Sequence, residues 1–235
     1  MRGHLTTLAL LLALPALSFG NFDLNFTCLV DKTGDCPSNA NLATQLKVNV
    51  ADTAGGAQFT FYNNVGIASS ITDIYFDLPG ASNTTPVPQT LLLFLSPNAP
   101  TITDSGAGVA FSDGASPPNL PRNNVPNPDF DSMYSADSDS PVSANGVSSS
   151  TEWVRFVFKY ASGKDFDDVK DALNDGSLRI GLHVQSIGTA SRSDAYINDP
   201  YNPPQQVPEP GTYAALIGAG MVAFLWIQRR RKTAA

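Results

Sequence analysis

Hydrophobic and polar side chains alternate in several short stretches of this chain. Leu46, Val48 and Val50 are separated by the polar residues Lys47 and Asn49. The same alternation recurs in four further stretches: Phe59 and Phe61; Ile74, Phe76 and Leu78; Val154, Phe156, Phe158 and Tyr160; and Leu178, Ile180, Leu182 and Val184. Successive side chains of a β-strand point to opposite faces, so this period of two predicts antiparallel strands that bury one face.

One short helix is predicted between the last two strands. Asp165 is a suitable N-cap, and Gly176 is placed to end the helix. Phe166, Val169 and Leu173 then fall on one helical face. Together with the strands, this pattern predicts an all-β fold, an antiparallel β-sandwich or jelly-roll-like domain with one short helix.

The predicted β-domain spans residues 21–200 and contains long polar loops between about residues 79 and 150. Pro, Ser, Asn, Gly and Asp dominate that region, which is typical of loops. Two apolar runs within it, Leu91 to Leu95 and Val109 to Phe111, are candidate strands. Residues 201–206 are predicted to form an extended linker.

The first 20 residues have the three parts of a secretory signal peptide. Arg2 supplies the positive charge, Leu5 to Leu17 is apolar, and Ser18 and Gly20 are small residues at a cleavage site. Cleavage is predicted after Gly20, with Ser18 as the alternative. We therefore expect the Sec machinery to export the chain.

The C-terminal segment, residues 207–232, also has three parts. They are the motif Val207, Pro208, Glu209 and Pro210, a predicted apolar helix over residues 212–228, and the basic cluster Arg229, Arg230, Arg231 and Lys232. The uncharged run is short for a hydrocarbon core of about 30 Å, but an apolar run followed by positive charges is typical of a stop-transfer segment. This predicts an anchor in the inner membrane, with the preceding chain outside.

This tail resembles the PEP-CTERM sorting signal of Gram-negative bacteria. Val207 to Pro210 match the Val-Pro-Glu-Pro motif residue by residue, while Gly211 stands where Ser is commoner. The resemblance implies processing by an exosortase near Pro208 to Pro210, and a place at the cell surface or in the exopolysaccharide matrix of a biofilm. An unprocessed single-span anchor is the alternative.

The net charge of the chain argues against one class of binding partner, nucleic acid. The whole chain has a net charge of −7. Residues 21–206 contain nine basic and twenty acidic side chains, which gives a net charge of −11. Such a surface repels nucleic acid, so no nucleic-acid partner is predicted.

Two cysteines and several aspartates are candidate structural sites. Cys28 and Cys36 are close in sequence, and in an exported protein they are predicted to form a disulfide around a short loop. No zinc site is expected from so few His and Cys residues. Calcium is a possible cofactor, because the alternating carboxylates of a predicted loop could supply oxygen ligands: Asp129, Asp131, Asp137 and Asp139. A solvated acidic loop is the alternative.

No catalytic residue is assigned. His183 is the one histidine of residues 21–206, and a Ser-His-Asp arrangement would have to use it. No Gly-x-Ser-x-Gly turn presents a serine, so an exposed strand histidine is the preferred interpretation. Two aspartates could serve a glycoside hydrolase, but nothing in the sequence selects a pair.

The aromatic residues suggest carbohydrate binding as an alternative function. Trp153 is the candidate platform for sugar stacking, with Tyr75 and Tyr160 as further possibilities. Three hypotheses follow. The first is a non-enzymatic structural or adhesive component of the exopolysaccharide matrix, the second is a carbohydrate-binding module for that polysaccharide, and the third is an aspartate-dependent hydrolase.

Overall fold

The computed structural model describes residues 20–29, 40–64, 66–78, 91–93, 99–124, 126, 128–189 and 191–200. The chain divides into two units, Met1–Tyr201 and Asn202–Ala235, and every described residue belongs to the first. Nearly all of the predicted signal peptide, the linker and the whole C-terminal segment lie outside the described residues. Within the described ranges, no helix has the length and apolar character needed to cross a membrane.

Ten strands and three short helices make up the described part of the chain. The strands are β1 (Asn21–Cys28), β2 (Leu46–Thr53), β3 (Gly56–Asn63), β4 (Ser70–Asp77), β5 (Thr101–Asp104), β6 (Phe111–Asp113), β7 (Ser132–Ser138), β8 (Trp153–Lys159), β9 (Arg179–Ile187) and β10 (Arg192–Asn198). The helices are α1 (Ala40–Gln45), α2 (Val142–Asn145) and α3 (Phe166–Asp175). Every pair of neighbouring strands is antiparallel, so the predicted all-β antiparallel class is confirmed.

The strands form one sheet in the order β5-β8-β3-β2-β1-β10-β9-β4-β7-β6. Strand β1 joins its two halves. Its beginning, Asn21 to Asn25, pairs with β2, and its end, Phe26 to Cys28, pairs with β10. We call the part from β5 to β2 the first half of the sheet and the part from β10 to β6 the second half.

The two halves pack face to face across an aromatic core. The ring of Phe76 on β4 lies edge-on to Phe59 of β3, with 5.2 Å between centroids, and to Phe158 of β8, with 4.7 Å. Edge-to-face contacts at these distances add to the stabilisation from burial. Inward positions of the predicted alternation, such as Val48 and Leu182, are fully buried.

Helix α3 forms where the sequence predicts it. The Asp165 carboxylate accepts hydrogen bonds from the backbone N–H groups of Asp167 and Asp168, and the Asp168 side chain accepts one from the Asp165 N–H in return. Gly176 ends the helix with a φ of 79°, a left-handed conformation that suits glycine. The predicted cap and C-terminal residue are both confirmed.

The outer face of the second half is covered by residues 115–124 and 128–131, which we call the covering segment. Leu120 and Phe130 of this segment pack on Tyr75 of β4 and Ala195 of β10. Gly181 of β9 makes room for them, since an added Cβ would lie 2.9 Å from Leu120 Cδ2 and 3.1 Å from Phe130 Cζ.

The covering segment explains why β4 departs from the predicted alternation. All eight residues of Ser70–Asp77 are buried, although the pattern predicts only one buried face. The inner residues face the aromatic core, and the outer residues, including Tyr75, lie under the covering segment.

The structure also places three strands where long polar loops are predicted. Strands β5, β6 and β7 lie between residues 101 and 138, and β6 begins at Phe111 of the second candidate run. Leu92, in the first candidate run, forms an isolated bridge with Tyr160. Strands β5 and β6 are short strands at the two edges of the sheet, and β7 alternates its buried residues with Ser and Asp, so none of the three has a strong apolar pattern.

Candidate functional site

The outer face of the first half is a polar surface with two aromatic rings, which we call the aromatic face. Its alternating residues are Lys47 and Asn49 of β2, Gln58, Thr60 and Tyr62 of β3, and Trp153, Arg155, Val157 and Lys159 of β8. In the strand register, Tyr62 lies between Trp153 and Lys47. Side chains directly opposite each other have Cβ atoms about 5 Å apart, so these three residues form a row across the sheet.

Arg155 fixes the surroundings of the Trp153 ring. Its guanidinium carbon lies 4.6 Å from the Trp153 ring centroid, and its Nε donates a hydrogen bond to Thr60 Oγ1 at 3.2 Å. This cation–π contact holds both side chains against the sheet. With Lys47 and Lys159, Arg155 gives the aromatic face a positive character that contrasts with the acidic chain.

The three aromatic residues that the sequence suggested for sugar stacking have different environments. Trp153 is partly exposed on the aromatic face. Tyr75 is fully buried under the covering segment, where its hydroxyl donates to the Pro117 carbonyl at 3.1 Å, so its suggested role in stacking is wrong. The Tyr160 hydroxyl donates to Asp52 Oδ1 at 2.7 Å. The second ring of the aromatic face belongs to Tyr62, which lies opposite Trp153 and was not among the residues predicted for sugar stacking.

His183 of β9 and Asp73 of β4 form a pair beside the covering segment. Nδ1 of His183 lies 2.8 Å from Asp73 Oδ2, and Thr72 Oγ1 donates to the same oxygen at 2.8 Å. The exposed fraction of the side chain is 14% for His183 and 2% for Asp73. His183 is thus a largely buried, paired residue, in contrast to the predicted exposed strand histidine.

A second carboxyl and a phenol adjoin this pair. Asp137 of β7 lies opposite Asp73 in the register. Burial, together with the charge and hydrogen bonding of Asp73, raises the pKa of Asp137 to about 6. Burial and the same two carboxyls also raise the pKa of Tyr75. The charge of Asp73 therefore disfavours ionisation of both the Asp137 carboxyl and the Tyr75 phenol.

A buried ion pair holds the covering segment on the sheet. Nε and Nη2 of Arg179 both donate to Asp77 Oδ2, the former at 2.8 Å. Arg179 also donates to the carbonyls of Pro128 and Asp129, at 2.7 and 2.6 Å, and its guanidinium lies 5.3 Å from the Phe130 ring centroid. The pKa of Asp77 is raised to about 6, because burial outweighs the opposing effect of Arg179.

The four aspartates of the predicted calcium site occupy different positions. Asp129 and Asp131 precede β7, Asp137 lies within it, and Asp139 follows it and accepts a hydrogen bond from Ser112 at 2.8 Å. The described residues contain no group of three or more His, Cys, Asp or Glu side chains arranged to hold a metal ion. Calcium binding by these aspartates stays a prediction.

Cys28 ends β1 and is not a free thiol. Cys36 lies outside the described residues, so the Cys28–Cys36 disulfide also stays a prediction.

The comparisons with known proteins concern the C-terminal segment. Residues 206–232 match the family model of the PEP-CTERM protein-sorting motif. The chain carries a PEP-CTERM sorting motif. The resemblance predicted from Val207 to Pro210 is therefore confirmed, and the PEP-CTERM motif implies export and processing by an exosortase. No curated protein and no solved structure matches this chain.

The grouping of Asp73, Asp137 and His183 is not predicted by the sequence pattern. One signal was present, because the polar residues Thr72 and Asp73 stand between the apolar residues Ile71 and Ile74 of β4. A carboxylate at such a position needs a partner when it is buried. The partner could not be identified without the register, since Asp137 and His183 are far from Asp73 in sequence.

Proposed function

We propose that this chain acts at the cell surface or in the extracellular matrix of a Gram-negative bacterium, as a non-enzymatic structural or adhesive component of the exopolysaccharide. The PEP-CTERM motif at residues 206–232 carries this proposal, because it implies export and exosortase processing. Processing leaves an all-β domain outside the inner membrane. A role in the exopolysaccharide matrix is what the resemblance to PEP-CTERM proteins implies.

The aromatic face favours a more specific second function, which is direct carbohydrate binding. Trp153 and Tyr62 are neighbours on adjacent strands, and aromatic rings can pack against the apolar faces of sugar units. Polar side chains around them, including Asn49 and Gln58, can bond sugar hydroxyls. Arg155 and Lys47 would allow an acidic polymer to approach an otherwise acidic domain.

The third hypothesis is an aspartate-dependent glycoside hydrolase. Such enzymes need two carboxyls about 5–5.5 Å or about 6.5–9.5 Å apart around the sugar. Asp73 and Asp137 lie directly opposite each other on paired strands, and Asp73 is only 1% exposed, so this carboxyl cannot flank a sugar at the surface. This pair therefore does not have the geometry of that chemistry.

A co-sedimentation assay tests the carbohydrate function. The purified protein is mixed with the exopolysaccharide of its own host, and the bound fraction is measured over a range of polymer concentrations. We expect saturable binding that Trp153→Ala weakens by about tenfold, because the main stacking surface is lost. The matched control is Val157→Ala, which shortens a side chain on the same face of the same strand without removing a ring, and which should bind as the wild type does.

Other outcomes separate the hypotheses. Equal loss in the two variants would contradict a specific role for Trp153. No binding by the wild type would contradict both the polysaccharide-binding and the adhesive function, and would favour a protein partner. Repeating the assay with calcium and with a chelator tests the proposed role of Asp129, Asp131, Asp137 and Asp139, since calcium dependence is expected only if they hold the ion.

A further inference from the structure

A small pocket opens next to His183 at the edge of the covering segment. Its volume is about 290 Å³, near the lower end of known ligand pockets. Pro117, Pro121 and Ala195 supply apolar walls. The polar groups of the lining are Arg122, His183, Ser193 and Asp194. A pocket of this size suits a ligand of about one sugar ring.

Asp73 orients His183 in this pocket. The carboxylate lies 2.8 Å from Nδ1, so Nδ1 carries the proton of the neutral ring and Nε2 has the free lone pair. Because His183 lines the pocket while Nδ1 is engaged by Asp73, Nε2 is the ring nitrogen left for a ligand. In the neutral ring, Nε2 accepts a hydrogen bond, and a hydroxyl group is the matching donor.

Arg122 supplies a positive charge at the same pocket. It is exposed and adopts a φ of 57°, in the left-handed region that residues other than glycine seldom occupy. Such backbone strain is concentrated at ligand sites, where the local structure must hold a side chain in place. A planar guanidinium pairs well with a carboxylate through two parallel hydrogen bonds.

We propose that this pocket binds a hydroxycarboxylate of about one sugar ring, such as a uronic acid unit. Its carboxylate pairs with Arg122, and one of its hydroxyls donates to His183 Nε2. Pro117 and Pro121 contact its apolar face. This inference goes beyond the proposed function, because the pocket lies on the second half of the sheet and shares no residue with the aromatic face.

The histidine content of the chain makes a direct test possible. Histidine occurs twice, at positions 4 and 183. Protein labelled with ¹⁵N-histidine therefore gives at most two imidazole spin systems, and a His4→Gln variant assigns the one from His183. Titration with glucuronate should shift the His183 Nε2 resonance with saturation, while glucose, which lacks the carboxylate, should bind at least about tenfold more weakly.

Variants separate this site from the aromatic face. Arg122→Gln removes the charge from an exposed side chain, and should weaken glucuronate binding by about tenfold or more. Trp153→Ala is the control, and should leave the glucuronate titration unchanged even though it weakens binding of the polymer. A titration that leaves the His183 resonance unmoved, or equal affinity for glucuronate and glucose, would overturn the proposal. Unchanged glucuronate binding in Arg122→Gln would do so too.

Discussion

At the scale of single residues, Asp137 is the group whose environment most clearly affects the dependence of stability on pH. Its folded-state pKa of about 6 is above the ordinary value of 3.8. Between about pH 4 and pH 6 the folded protein therefore binds the proton more tightly than the unfolded chain, and the free energy of unfolding falls as the pH rises through this window. The raised pKa of Asp77 acts in the same direction.

Asp137→Asn should increase stability at neutral pH, because it removes a partly desolvated charge from beside Asp73. Asp137 is partly exposed, so we expect a gain of only about 1 kcal/mol after solvent screening, or a rise in Tm of about 2–4 °C at pH 7.5. Tm measured from pH 4 to pH 8 should fall less steeply for the variant than for the wild type.

The control for this experiment is Asp171→Asn, which alters an exposed carboxyl on helix α3. Its Tm profile should follow that of the wild type. A Tm for Asp137→Asn equal to or below the wild-type value at pH 7.5 would show that the charge of Asp137 is not destabilising.

At this scale, the features predicted correctly from the sequence are those that depend on residues close together in the chain. The cap at Asp165 and the motif beginning at Val207 could be found because each depends on neighbouring residues. The pairing of Asp73 with His183 depends on strand register, including a shift between Ile71 and Asp73. A one-residue change of register exchanges the two faces of a strand, and this is why such pairs are hard to infer from sequence.

At the scale of elements, the covering segment depends on Arg179. This side chain neutralises Asp77 and donates to two backbone carbonyls of the segment. Arg179→Met should lower the free energy of unfolding by about 3–5 kcal/mol, because it leaves a buried carboxyl without its cation. Chemical denaturation gives this quantity directly.

Limited trypsin digestion gives a second readout of the same change. The covering segment contains the Arg122–Asn123 bond, which should be cleaved faster in Arg179→Met when the segment is released.

Replacing both partners, as in Asp77→Leu with Arg179→Met, should recover part of the lost stability, since no buried charge remains. Lys164→Met is the control, because it removes an exposed ion pair and should change stability by less than about 1 kcal/mol. A double variant no more stable than Arg179→Met would contradict this account.

The elements that the sequence predicted are those with a strong apolar period. Strands β2, β3, β8 and β9 bury alternate residues against the aromatic core, and that contact sets both their pattern and their position. Strand β7 is not predicted from the sequence, because its pairing with β4 and β6, and not its own apolar pattern, determines its position. Its inner residues Tyr134 and Ala136 are buried, but four of the other five positions are Ser or Asp, a composition typical of a loop.

At the scale of the whole molecule, we expect proteolytic processing to remove both terminal segments and to leave the domain between them intact. The PEP-CTERM motif implies exosortase cleavage near Pro208 to Pro210. Mass spectrometry of the surface fraction should therefore find a protein that lacks residues 1–20 and everything beyond about Pro210. Replacement of Glu209 and Pro210 by Ala should leave the tail attached, whereas Gln205→Ala, just before the motif, should not. Peptides that contain Ile227 and Arg231 in the mature wild-type protein would contradict processing.

The position of β10 has a mechanical consequence for a protein held by its C-terminal end. This strand lies between β1 and β9, and the sorting segment follows it in the chain. Antiparallel hydrogen bonds run perpendicular to the strands, so a pull along β10 would load its bonds to both neighbours together rather than one after another. A pull on the C-terminal end of the domain would therefore load these two sets of hydrogen bonds in shear.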